Sequence, residues 1–147
     1  MPILINCVRI SGFRGIKEVE VDLGRVAILL GTNNAGKTSF LKSLQLALGD
    51  YQRYFSDEDF HIDSNGAKIN NVVVDLRVIP TNNLYVRVDE FDEQWVDVFG
   101  DNIAVDADGR EFVAIRTKVQ PDEFKGGFST QRFYLSEWPA LDAWKDL

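Results

Sequence analysis

The sequence predicts an α/β chain of α+β character, with one strand–loop–helix unit beside a β-rich antiparallel lobe. Three observations carry this expectation. A non-alternating apolar run at residues 26–30 leads into a glycine-rich loop and then an amphipathic stretch. A cleanly alternating segment, Ile16-Lys17-Glu18-Val19-Glu20-Val21-Asp22-Leu23, precedes that run. After residue 66 come several short β-prone segments separated by turn residues, with no second long amphipathic helix, internal repeat or low-complexity tract.

In order along the chain, residues 3–10 are mostly apolar and β-prone, and predict a first strand. Ser11-Gly12-Phe13-Arg14-Gly15 reads as a glycine-punctuated turn. In residues 16–23, Val19, Val21 and Leu23 fall on one face and Glu18, Glu20 and Asp22 on the other. Period two with one charged face predicts a half-exposed antiparallel strand, ended by Gly24. Residues 26–30 do not alternate, which predicts a central strand covered on both faces. A helix is expected over residues 37–48, with Phe40, Leu41, Leu44, Ala47 and Leu48 on its buried face and Gly49 as its stop.

A polar, acidic connection spans residues 50–66 and a β-rich segment residues 67–136. Strands are expected at residues 71–79, 84–90, 95–98, 111–119 and 130–135. Asp108-Gly109, between Ile103-Ala104-Val105 and Phe112-Val113-Ala114, predicts a hairpin turn. Residues 137–147 carry Trp138, Leu141 and Trp144, and read as the approach to another element; the alternative is a short helix docked on its own domain.

The 147 residues suit one domain with one core. A hydrophobic share of 45% and a charged share of 27% are those of a soluble globular protein. No apolar run is long enough to cross a bilayer and no secretory leader is visible, so no membrane partner is expected and the cytoplasm is the default compartment. Cys7 is the only cysteine, which rules out an internal disulfide and a cysteine-based zinc site and predicts a buried, inert thiol. His61 is the only histidine, which excludes a two-histidine metal site. A net charge of -7 argues against this segment being a main DNA-contacting surface.

The chemistry lies in Gly31-Thr32-Asn33-Asn34-Ala35-Gly36-Lys37-Thr38, a full match to G-x-x-x-x-G-K-[ST]. Glycines let the backbone curl so that successive N–H groups point at phosphate oxygens. Lys37 supplies a cation for the β- and γ-phosphates, and Thr38 a hydroxyl for Mg²⁺. The helix that starts here adds its free N–H groups and positive dipole end. The expected ligands are ATP and Mg²⁺, the expected nucleotide-binding set is residues 31–39, closing with Ser39, and the sequence names no catalytic residue.

Ile10-Ser11-Gly12-Phe13-Arg14-Gly15, the alternating strand, and Ile28-Leu29-Leu30 running into the motif and Ser39-Phe40-Leu41 resemble the N-terminus of the RecF/SMC/OLD group of ABC-class ATPases. Asn33 matches the loop asparagine of that group, and Thr32 departs from its usual proline. The acidic stretch at residues 55–63 and the β-rich segment behind it look most like the OLD-type ATP-dependent endonucleases. The resemblance implies the first lobe of an ABC-class ATPase head. It also implies heads that pair around nucleotide, a homo-oligomer, and a TOPRIM nuclease domain with DNA contact elsewhere in a longer protein. Several members of the group serve in antiphage defence. The alternative within the group is a RecF- or SMC-like DNA-repair ATPase without nuclease activity. By the same resemblance Arg14 could approach a phosphate, its alternative being a surface turn with Phe13 in the core.

A complete head needs a signature motif, a Walker B strand ending in Asp-Glu and a switch histidine, and no Ser-Gly-Gly signature is present. Two segments imitate Walker B. Val72-Val73-Val74-Asp75 lacks the second acid, and Tyr85-Val86-Arg87-Val88-Asp89-Glu90 alternates where a buried run is needed. Gln131 reads as a strand residue before a Q-loop glutamine. Asp57, Glu58, Asp59 and Asp63 read as a solvated loop face, and Asp106-Ala107-Asp108-Gly109 as a hairpin tip. A GTPase is disfavoured because Asn-Lys-x-Asp is absent. A small kinase is disfavoured because the second half offers no arginine-rich helical lid, and a degenerate loop because Lys37 and Thr38 are intact.

Overall fold

The structure is a computed structural model that describes residues 1–24, 34–49, 55–142 and 144, with residues 34–37 described by backbone alone. Six strands form one antiparallel sheet: β1 (Ile3–Phe13), β2 (Ile16–Asp22), β3 (Val72–Pro80), β4 (Ala104–Val105), β5 (Glu111–Pro121) and β6 (Phe128–Leu135). The order is β2-β1-β3-β5-β4, with β6 also paired to β5. Two α-helices, α1 (Asn34–Leu48) and α2 (Glu93–Phe99), and two single-turn 3₁₀ helices, Asp57–Asp59 and Gly100–Asn102, complete the described elements. The architecture is the α/β one expected, and the antiparallel lobe is its larger part.

The two faces of the sheet differ in kind. Val8, Ile10, Val72, Val74, Leu76 and Val119 turn to one side and pack with Phe40, Leu46 and Ala47 of α1. Further along the same side, Val78 and Val113 meet Phe91 and Phe99, so α2 closes that end. Because strand side chains alternate, Arg9, Asp75 and Arg116 point to the opposite side.

That second side carries a buried row of charge and, further along, an apolar cluster of Ile79, Ala104, Phe112 and Ala114 packed with Trp138. Arg9 Nε donates to Glu20 at 2.6 Å, and Arg9 sits across from Asp75 in register. Arg116 grips Asp75 through two bonds of 2.8 Å each, with both residues at 0% exposure. Trp138, Pro139 and Trp144 lie over the row. Arg9 donates to the Pro139 carbonyl at 2.7 Å, Arg116 donates to the Trp144 carbonyl, and Trp144 Nε1–H donates to Glu18 at 2.9 Å. The Trp138 ring lies 4.3 Å from the Arg9 guanidinium, a cation–π contact. Trp138, Pro139 and Trp144 are therefore docked on this sheet, while the short helix of the alternative reading is not an element among the described residues.

Several expected elements are corrected. Ser11, Gly12 and Phe13 continue β1 by pairing with β2, which leaves Arg14 and Gly15 as the turn. Residues 84–90 are not a strand. Asn82 Oδ1 accepts the N–H groups of Leu84 and Val86 at 2.8 and 3.1 Å, and Tyr85 has φ 62°, so this is an Asx-type turn. Residues 95–98 belong to α2, because Asp92 caps its start through Trp95 N–H and Phe91, Trp95 and Phe99 recur at helical spacing. In α1 the buried residues are Ser39, Phe40, Ser43, Leu46 and Ala47, whereas Leu41 and Leu48 are 53% and 62% exposed. Ser43 tolerates burial because its hydroxyl donates to the Phe40 carbonyl at 2.6 Å. Gly49 ends α1 as expected, with φ 99° and its N–H on Leu46 O. The expected strand at residues 26–30 lies outside the described residues.

Candidate functional site

The motif sits between β2 and α1. Gly31, Thr32 and Asn33 lie outside the described residues, and Asn34, Ala35, Gly36 and Lys37 form the first turn of α1. Residues 34–37 of the motif are helical, ahead of the expected start at residue 37, so the described helix includes the second half of the motif. No acidic residue stands in that first turn to repel an anion. Thr38 is exposed, which suits a hydroxyl meant for a metal ion, and Ser39 is buried. These residues fit a phosphate group with its cation: free donors, a positive dipole end and an accessible hydroxyl.

Arg14 turns elsewhere. Its Nε lies 3.3 Å from Asp59, and its N–H donates to the Asp59 carbonyl at 2.6 Å. Phe13 is fully buried in an aromatic cluster with Phe55 and Phe60. His61 closes the same corner, its N–H on Gly12 O at 2.9 Å and its Nδ1 2.8 Å from Arg14 O.

The acidic connection is explained by local geometry. Asp57 pairs with Lys68, Asp59 is buried and accepts Ser56 N–H at 2.9 Å, and Asp63 accepts the N–H groups of Asn65 and Ala67. Glu58 is exposed. Asp106 likewise holds a hairpin tip. The Arg110 N–H on its carboxylate is the main reason its pKa lies below the ordinary value, opposed by partial desolvation. Gln131 is an exposed strand residue of β6, across from Lys118.

Neither Walker B imitation faces the motif. Asp75 lies between Val74 and Leu76, which meet the α1 side, so its carboxylate is on the other side, bound to Arg116. Burial pushes its pKa up and Arg116 opposes that shift. Asp89 and Glu90 are exposed beyond the Asx-type turn, and Asp89 pairs with Arg110 at 3.0 Å.

Cys7 is buried, as expected, and its thiol is pushed up to about 12, chiefly by burial and then by the nearby Glu20 carboxylate. Its Sγ lies within 4.8 Å of Glu20 and Asp22 oxygens. Glu20 is already engaged by Arg9, and a protonated thiol is a poor metal ligand.

Comparison with known proteins adds kinship to this geometry. A family described as "Protein of unknown function (DUF2813)" matches residues 3–120. The chain belongs to that family. An uncharacterized protein of Methanocaldococcus jannaschii, MJECL10, is 44% identical over 46 residues, 31% of this chain and 21% of that protein. The OLD nuclease of Thermus scotoductus is 32% identical over 47 residues, 32% of this chain and 9% of that protein. The chain thus spans about a fifth and about a tenth of these relatives. A solved structure described as "Structural biochemistry of ATP-driven dimerization and DNA stimulated activation of SMC ATPases" superposes with a TM-score of 0.54 at 20% identity, over 87% of this chain and 68% of that one. The fold is that of an ABC-class ATPase lobe, and the resemblance to the N-terminal ATPase region of OLD-type proteins stands. No described helix is long and apolar enough to cross a membrane.

Proposed function

We propose that this chain is the nucleotide-binding segment of an OLD-type ATP-dependent DNA endonuclease and the first lobe of its ATPase head. The observation that carries the reading is that residues 34–37 of the motif lie within α1, with no acid in its first described turn. Residues 31–39 would hold ATP: backbone N–H groups around the phosphates, Lys37 on the β- and γ-phosphates, Thr38 on Mg²⁺. The bound cation would neutralise phosphate charge, while this chain's part is to bind and orient. Arg14 would join only by leaving Asp59. Residues 1–147 act as one lobe of a longer protein whose heads pair around nucleotide and whose DNA contacts lie elsewhere, in antiphage defence among other settings.

A second reading, a RecF- or SMC-like repair ATPase without nuclease activity, is favoured by the structural likeness to the SMC protein. A TOPRIM acidic motif in the remainder of the protein would separate the two.

With Asp75 bound to Arg116 and Asp89-Glu90 in an exposed loop, no second acid is placed for hydrolysis among the described residues. A phosphate-release assay on this chain is expected to show negligible turnover of Mg-ATP or Mg-GTP. Brisk turnover by the chain alone would contradict the first-lobe reading.

A further inference from the structure

The far end of α1 is finished by a residue from another strand. A helix leaves its last carbonyls without intrahelical partners and its C-terminus partially negative. In α1 no basic residue stands in the last turn to meet this need. Arg132, on β6, meets it instead: its Nη2–H donates to the Leu46 carbonyl at 2.8 Å, from 86 residues away. Its Nε–H donates to Thr117 Oγ1 at 3.1 Å, and Thr117 is fully buried in β5, paired in register with Arg132. The helix end is shaped for this approach. At Gly49 the chain turns with φ 99°, and a Cβ built there would lie 3.8 Å from Arg132 Nη1.

We propose that Arg132 is a positioning residue for the nucleotide site, acting through α1. The inference rests on the nucleotide-binding reading above. A planar guanidinium with two donors in use fixes direction as well as distance, which a single flexible ammonium does not. An α-helix is a stiff rod, and α1 presents its first-turn N–H groups where the phosphates would sit. Fixing its last turn to β5 and β6 therefore fixes the aim of its first. Arg132 is itself an exposed residue, so screening limits any direct pull of its charge on a ligand about 22 Å away along the helix, and geometry is the working term.

The test is calorimetric titration of the wild-type chain, Arg132→Met and Thr117→Val with Mg-ATP, with thermal melting of each nucleotide-free protein. Arg132→Met is expected to weaken Mg-ATP binding about fivefold, a fraction of the roughly tenfold or more that the lost charge-assisted hydrogen bond is worth, because the bond acts on the nucleotide only through the helix. Thr117→Val, which removes only the Nε acceptor, should weaken it about twofold. Amide exchange in residues 34–39 of folded Arg132→Met should be faster than in wild type. A purely structural role would lower the melting temperature and leave the affinity of the folded protein unchanged, and that result would overturn the proposal. If Arg132→Met does not fold, Thr117→Val decides alone, and wild-type affinity there overturns it. If the wild-type chain gives no binding, the nucleotide reading itself fails and the inference with it. If wild type binds and both variants bind equally well, only the inference fails.

Discussion

Arg116→Met is expected to cost about 3–5 kcal/mol of folding stability, because it strands the Asp75 carboxylate in a site with no access to water. Two bonds of 2.8 Å disappear, and the Trp144 carbonyl loses its donor from the same guanidinium. The loss also depends on pH. Burial already raises the Asp75 pKa above the ordinary 3.8, and Arg116 is the largest opposing influence. Without Arg116 the folded-state pKa rises further. Folding then gains from protonated Asp75 below the unfolded value and loses that gain as pH climbs through the folded value. The variant should therefore be least impaired near pH 4 and most impaired near neutrality. Urea midpoints across that range would show it. The double variant Asp75→Leu with Arg116→Met should recover most of the loss, since replacing both partners removes the stranded charge. A single variant that loses less than about 1 kcal/mol at neutral pH would mean that the pair is not the buried ion pair described here.

Gly12→Ala is the second large effect. Gly12 lies within β1 at φ 76°, a region costly for any residue with a Cβ, and a Cβ there would stand 2.4 Å from the backbone oxygen of Asn71. Backbone cannot step aside as a side chain can, so β1 and residues 69–71 must separate. The Gly12 carbonyl also accepts His61 N–H, which ties this corner to the segment that holds Arg14. A loss of about 3 kcal/mol or more is expected, measured as the shift in urea midpoint. Gly15→Ala is the matched control. Nothing lies within 4 Å of a Cβ at Gly15, so it should change stability by less than about 0.5 kcal/mol. Equal effects at the two glycines would contradict the close approach at Gly12.

The parts of this molecule that were legible in the sequence are those where one local rule decides. Alternation in residues 16–23 gave β2, the β-prone segment at residues 71–79 gave β3, and Asp108-Gly109 gave the β4–β5 hairpin. Where two rules competed, the structure often followed the less conspicuous one. Residues 84–88 alternate like a strand, yet Asn82 supplies a side-chain oxygen that folds them into a turn. Trp95, Val96 and Val98 are β-prone, yet Asp92 before them and Gly100 after them cap a helix. The leucines of α1 surround it, so spacing alone could not say which would be buried, and Leu46 took the place expected of Leu41 and Leu48. The charge row was illegible for another reason. Arg9, Asp75 and Arg116 look like the solvent face of a sheet until Trp138, Pro139 and Trp144 cover them. The motif at residues 31–38 was the reverse case, since its chemistry is written in residue types at fixed spacing. Residues 34–37 of it are described as helix, and residues 31–33 lie outside the described residues.

The central claim is that residues 31–38 hold the phosphates of ATP, and the most direct measurement is calorimetric titration of this chain with Mg-ATP beside Lys37→Ala. Lys37 lies in α1, and its loss removes the cation of the motif. The account predicts saturable binding by the wild-type chain, and loss of that binding in a Lys37→Ala protein that melts like wild type. Equal binding by the two proteins would place the nucleotide somewhere other than this loop and contradict the account.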